Sequence, residues 1–132
     1  MGMLSQRVHD RVDALHWRRI WHLFVSVAEI LLEFSPDARG ELAGRYVKFT
    51  TGSQPTSRVY AAVWPKPSPP RRLIVGLALP EDFEAEPLGP PPEPILYRGL
   101  NKFLVIQEGQ AIPEGLPGWA KQAYDHAVLI KG

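Results

Sequence analysis

Basic and aromatic side chains alternate along one predicted strand of this chain. In the segment Ser57–Trp64, alternation places Arg58, Tyr60 and Trp64 on one face, opposite Val59 and Val63. Cationic side chains pair with phosphates and aromatic rings stack on bases, so this face predicts a surface for nucleic acid or another anionic ligand. The alternative is that Tyr60 and Trp64 form the core face. The full predicted ligand set is Arg58, Tyr60, Trp64, Arg98 and Lys102.

A second candidate constellation is His9, Asp13 and His16, at helical spacings i, i+4 and i+7. Two imidazoles and a carboxylate on one stripe are chemically suited to a transition metal. A single stripe of one helix rarely surrounds an ion, and the chain has no cysteine to add a thiolate ligand. We therefore expect no metal and no cofactor.

Motifs of catalysis are absent from the sequence. There is no Gly-x-Ser-x-Gly elbow, no phosphate-binding Gly-rich loop and no dinucleotide-binding turn. The acidic pair Glu81 and Asp82 opens a proline-rich stretch, which is typical of a solvated loop. We expect no catalytic residues and predict a binding or interaction module. The alternative is a small hydrolase or transferase, which a closed pocket holding a histidine and a carboxylate would favour.

The composition is that of one ordinary globular domain. The 132 residues have a mass of 14.8 kDa, with 45% apolar and 22% charged residues and a formal net charge of +1. The absence of cysteine excludes disulfides and cysteine nucleophiles. The most apolar stretch, residues 20–34, is shorter than the roughly 20 residues that span a bilayer, and no targeting segment is recognised. We predict a cytoplasmic protein that does not enter membranes.

Residues 1–34 form the predicted N-terminal helical part of this domain, and residues 35–132 its α+β core. Residues 4–34 contain neither Gly nor Pro, and Ser5 is suited to cap a helix. Between Trp17 and Phe34, apolar residues cover two adjacent helix faces, which favours a homodimer through this helix. The alternative is a kink near residues 13–16 that folds residues 4–15 back within one chain.

The remaining elements predict a fold of the α+β class. Ser35-Pro36-Asp37 indicates a short helix to about Leu42. Alternating patterns follow. Near the end of the chain, the spacing of Leu116, Trp119, Ala123 and Ile130 predicts a helix that buries these residues on one face. The predicted strands are 45–50, 57–64, 72–79, 95–97 and 102–107, with a loop at 81–94 and a helix at 115–130. We expect a two-layer domain with an antiparallel sheet of about five strands and both terminal helices on one face.

The C-terminal half also resembles a known group of proteins. The residues concerned are Leu79-Pro80-Glu81-Asp82 after a strand, Tyr97 to Phe103, Ile112-Pro113-Glu114, and Gln122-Ala123-Tyr124 in the last helix. Over about residues 36–128 the chain resembles small MmcQ/YjbR-type proteins, and more closely still an uncharacterised family of small stand-alone domains with the same ending. The resemblance implies a two-layer α+β fold and a DNA-binding label, but no catalytic residue set.

Overall fold

A computed structural model describes residues 2–52, 57–93, 97 and 99–129. It contains six strands, three α-helices and one 3-10 turn within those ranges. In chain order the elements are β1 (Met3–Leu4), α1 (Gln6–Asp10), the 3-10 turn (Arg18–Ile20), α2 (Trp21–Leu32), β2 (Arg39–Ala43), β3 (Tyr46–Thr50), β4 (Val59–Lys66), β5 (Arg72–Leu77), β6 (Lys102–Gln107) and α3 (Leu116–Leu129).

The strands form one sheet in the order β1-β2-β3-β4-β5-β6. The predicted antiparallel meander of β3, β4 and β5 is confirmed, and β6 pairs antiparallel with β5. The α+β class is therefore correct, but the sheet has six strands rather than five. It is also mixed, because β1 pairs parallel with β2.

The sixth strand arises from a segment predicted to be helical. Residues 39–43 form β2, which pairs with β3 across a turn at Gly44, whose φ is 67°. The Ser-Pro-Asp signal forms only a turn, in which the Asp37 N–H donates to Ser35 Oγ at 3.2 Å. The short helix to Leu42 is thus wrong, because pairing along a hairpin overrides a local capping signal.

The long N-terminal helix is also broken. α1 ends at Asp10, and His16 adopts the left-handed φ of 60° that reverses the chain before Trp17. Val8, Leu15 and Trp17 are buried in the same core as α2. Residues 5–15 thus fold back on their own chain and cover part of the apolar surface of α2. The homodimer stays a prediction. The helix face on which that prediction rested is covered in part by these folded-back residues.

The helices α2 and α3 pack on one face of the sheet, here called the inner face. Side chains of both helices share one buried cluster with strand residues such as Val47 and Leu73. The helix α3 is confirmed, but its Trp119 is only half-buried, and Ala120 occupies a fully buried position. The predicted contact of Ile130 lies outside the described residues.

The opposite, outer face of the sheet carries a smaller cluster formed by Ala62, Ile74, Ala78, Leu100 and Phe103. It is partly covered by the chain between β5 and β6. We call residues 89–93, 97 and 99–101 the crossover segment. Its first residue pairs with Phe103, and the side chain of Asn101 hydrogen-bonds both the N–H and the carbonyl of Leu79. The outer face is therefore not the open surface expected. Of the strand predicted at 95–97, only Tyr97 lies within the described residues.

Candidate functional site

Tyr60 is not part of a ligand surface. Phe49 pairs with Ala61 and Thr50 with Val59, so Tyr60 is the extra residue of a β-bulge. The bulge turns Tyr60 to the inner face, where it is fully buried and its hydroxyl donates to the Leu31 carbonyl at 2.6 Å. Burial, and to a lesser extent Tyr124, raises the pKa of the Tyr60 hydroxyl. The shared face predicted for Tyr60 and Trp64 is therefore wrong.

Trp64 lies on the outer face, within an aromatic cluster. Its ring stacks on Tyr46 at a centroid distance of 5.0 Å and meets Tyr97 edge-on at 6.2 Å. Phe103 approaches the same ring at 6.2 Å. Burial, followed by Tyr46, raises the pKa of the Tyr97 hydroxyl. Because protein side chains already pack around Trp64, this ring is a poor platform for stacking bases.

The other predicted ligand residues do not join Trp64. Arg58 precedes β4 and lies six residues from Trp64, which is roughly 20 Å along an extended strand. Lys102 begins β6 and lines a separate depression formed by residues 83–88. Arg98 lies outside the described residues. The structure thus separates Arg58, Tyr60, Trp64 and Lys102.

A different set of cations converges at the end of the sheet where β4 ends and β5 begins. There a cleft of about 890 Å³ lies between the N-terminal turns, the start of β3 and the proline-rich β4–β5 loop. We call it the basic cleft. It is lined by Asp13, Leu15, His16, Trp17, Arg18, Arg19, Arg45, Trp64, Pro65, Lys66, Pro67, Ser68, Pro69 and Arg71. Five cationic side chains face one carboxylate, a formal excess of four positive charges with His16 neutral.

The strand register brings two walls of the basic cleft together. Val47 pairs with Val63, so the residues that precede β3 lie beside those that end β4. Arg45 therefore reaches the end of β4, and Arg71 follows the loop that leaves it. The turn at His16, whose backbone is left-handed, supplies the third wall. Trp17 after this turn is buried in the core, whereas the side chains of His16 and Arg18 are exposed.

Three of the five cations contact carboxylates. Arg18 pairs with Asp13 at 2.5 Å, Lys66 with Glu93 at 2.7 Å and Arg71 with Glu108 at 3.3 Å. Within the described parts of the chain, no carboxylate lies within 4.0 Å of Arg19 or Arg45. These two guanidinium groups are the part of the cleft best able to receive an external anion.

The one carboxylate that lines the basic cleft within the described chain is engaged by an arginine. Asp13 accepts a hydrogen bond from Arg18 Nε at 2.8 Å, and no hydrogen bond joins the His16 ring to a carboxylate in the described residues. The stripe His9, Asp13 and His16 is broken, because α1 ends at Asp10. Across the ranges that the structure describes, no three histidine or acidic side chains are grouped to hold a metal ion.

Arg45 and Arg71 could be recognised from the sequence as basic residues beside strands, but Arg18, Arg19 and Lys66 were missed. The register of the meander was a usable signal for Lys66. It places the start of β3, the end of β4 and the loop after β4 at the same end of the sheet. No such signal predicts that residues 13–19 line the basic cleft, because their position depends on the turn at His16.

Comparison of the chain with family models, with curated proteins and with solved structures gives no match. The resemblance to MmcQ/YjbR-type proteins therefore stays a prediction. Among the helices described, none has the length and apolar character needed to cross a bilayer.

Proposed function

We propose that this protein is a cytoplasmic binding module for a phosphate-bearing ligand, which it holds in the basic cleft. The observation that carries the proposal is the convergence of five cationic side chains and one carboxylate around one cleft of about 890 Å³. That volume is in the range of small-molecule sites, about 300 to 1,000 Å³.

The predominance of arginine among the cleft cations favours phosphate as the ligand group. Four of the five cations are guanidinium groups, whose planar N–H donors match the oxygens of a phosphate in pairs. Arg19 and Arg45 come from segments far apart in sequence, and both line this cleft. A ligand that bridges them is therefore favoured over one that contacts a single exposed arginine.

A compact phosphate ligand fits the site better than a single strand of nucleic acid. Sequence-tolerant binding of single strands uses aromatic rings on which successive bases stack. Here Tyr60 is fully buried, and Trp64 packs against Tyr46 and Tyr97. The cations converge on one cleft instead of following a row of exposed rings.

Two probes test the proposal: inorganic tripolyphosphate by titration calorimetry, and a fluorescent oligothymidylate by anisotropy. We expect wild type to bind tripolyphosphate, and Arg19→Ala/Arg45→Ala to weaken binding by about tenfold or more, since each charged hydrogen bond contributes about 1.5 to 3 kcal/mol. The matched control is Arg7→Ala/Lys121→Ala, which removes two exposed cations from α1 and α3 outside the cleft.

The outcomes distinguish the ligand sources. Binding of tripolyphosphate without the oligonucleotide supports a compact phosphate ligand, and oligonucleotide binding that tripolyphosphate displaces supports nucleic acid held through its phosphates. If wild type binds neither probe, or if the cleft variant and the control bind equally, the proposal is wrong.

A further inference from the structure

The crossover segment places a carboxylate on one cation of the basic cleft. Glu93 Oε1 lies 2.7 Å from Lys66 Nζ, and its Oε2 lies 4.0 Å from an Arg72 nitrogen. Lys66 and Arg72 are direct partners across β4 and β5, so their two positive charges adjoin. Glu93 therefore occupies a position between two cations, one of which also lines the cleft.

This ion pair is better shielded from water than the Arg18–Asp13 pair of the same cleft. The side chains of Lys66 and Glu93 are 31% and 35% exposed, whereas those of Arg18 and Asp13 are 75% and 71% exposed. Water and salt screen exposed pairs strongly and half-buried pairs less. Of these two carboxylates, Glu93 is the stronger competitor for an incoming anion.

We propose that Glu93 is an internal counter-ion of the basic cleft, which a bound phosphate displaces from Lys66. This inference rests on the proposed function. A phosphate oxygen and the Glu93 carboxylate seek the same ammonium group, and a tethered competitor acts at an effective concentration on the order of millimolar. Ligand binding is thereby coupled to release of the Glu93 side chain from Lys66.

The first test compares two variants with the same change in charge. Glu93→Gln should bind tripolyphosphate about threefold more tightly than wild type, because Lys66 is then free. Glu84→Gln is the matched control, since Glu84 and Lys102 line a separate depression at the other end of β5 and β6. Five residues of strand, roughly 17 Å, separate the two ends, which exceeds the screening length of about 8 Å at physiological salt.

A second test asks whether the gain acts through Lys66. In a Lys66→Gln background, the additional change Glu93→Gln should give little further increase in affinity. Asp13→Asn should give a smaller increase than Glu93→Gln, because its pair with Arg18 is more exposed. Circular dichroism confirms that each variant is folded.

Three results would overturn the inference. Equal affinities of Glu93→Gln and Glu84→Gln for tripolyphosphate would show that Glu93 does not compete with the ligand. A full gain in affinity from Glu93→Gln in the Lys66→Gln background would show that Glu93 does not act through Lys66. In both cases wild-type binding leaves the proposed function intact. If wild type does not bind tripolyphosphate or the oligonucleotide, the proposed function and this inference are both wrong.

Discussion

The two faces of the sheet are held in different ways. On the inner face, α2, α3 and the folded-back N-terminal turns pack large side chains against the strands, and Phe24, Phe49 and Tyr60 are fully buried. On the outer face, a small cluster that includes Ala62 and Ala78 is covered in part by the crossover segment. One face is a core made by several elements, and the other is covered largely by one irregular stretch of chain.

This difference separates stability from binding. Large buried side chains contribute most to the free energy of unfolding. Here the largest fully buried ones, apart from Ile74, belong to the cluster of the inner face. The basic cleft lies at one end of the sheet, and its cation Lys66 is tied to the crossover segment by Glu93. Changes in the crossover segment should therefore alter ligand binding at little cost in stability, and changes in the inner core should do the opposite.

The largest effect is expected at Phe24 on α2, which is fully buried and lies 5.3 Å from Trp21 and 6.0 Å from Trp17 between ring centroids. Phe24→Ala should lower the free energy of unfolding by about 3 to 5 kcal/mol, because it leaves a cavity in a packed core. Urea denaturation measures this loss. The comparison is Phe83→Ala, whose half-buried ring packs against the margin of the same core. An equal loss of unfolding free energy there would show that full burial in the inner core does not set the size of the effect.

Tyr60 should make the free energy of unfolding depend on pH in the alkaline range. Its pKa is raised above the ordinary value of 10.0, so above about pH 10 the unfolded chain releases this proton while the folded protein retains it. The free energy of unfolding should be unaffected by this group below about pH 10 and fall above it, by up to about 1.4 kcal/mol per pH unit.

The matched variant is Tyr60→Phe, which keeps the ring and removes the ionisable hydroxyl. Urea titrations at about pH 9 and about pH 11 should show a smaller alkaline loss for the variant than for wild type. Identical losses in the two proteins would mean that the Tyr60 hydroxyl is not held in the inner core.

The smallest effect is expected on the outer face. Tyr97 packs edge-on against Tyr46 and Trp64, and such aromatic pairs contribute about 0.5 to 1.5 kcal/mol beyond burial. Tyr97→Ala should lower the free energy of unfolding by about 1 kcal/mol, well below the effect of Phe24→Ala. A loss as large as that of Phe24→Ala, measured by the same urea denaturation, would remove the distinction between the two faces.

Local patterns were sufficient for the elements whose partners are neighbours in sequence. Alternation in β3, β4, β5 and β6 predicts strands, and short connections make β3, β4 and β5 an antiparallel meander. The periodicity of α3 predicts a helix, and of its predicted buried side chains Leu116, Ala123 and Ala127 are buried whereas Trp119 is only half-buried. The sequence by itself thus determined the α+β class and most of the sheet, because hydrophobic period and turn chemistry are properties of short segments.

The tertiary structure decided which side chains meet. One extra residue in β4 turns Tyr60 into the core. The end of α1 at Asp10 and the left-handed residue His16 divide a segment that the sequence predicts as one helix. The basic cleft depends on both this turn and the sheet register, since Arg19, Arg45 and Arg71 come from three separate segments. No local pattern encodes such a meeting, because it follows from how packed elements place their ends and not from the propensity of any one of them.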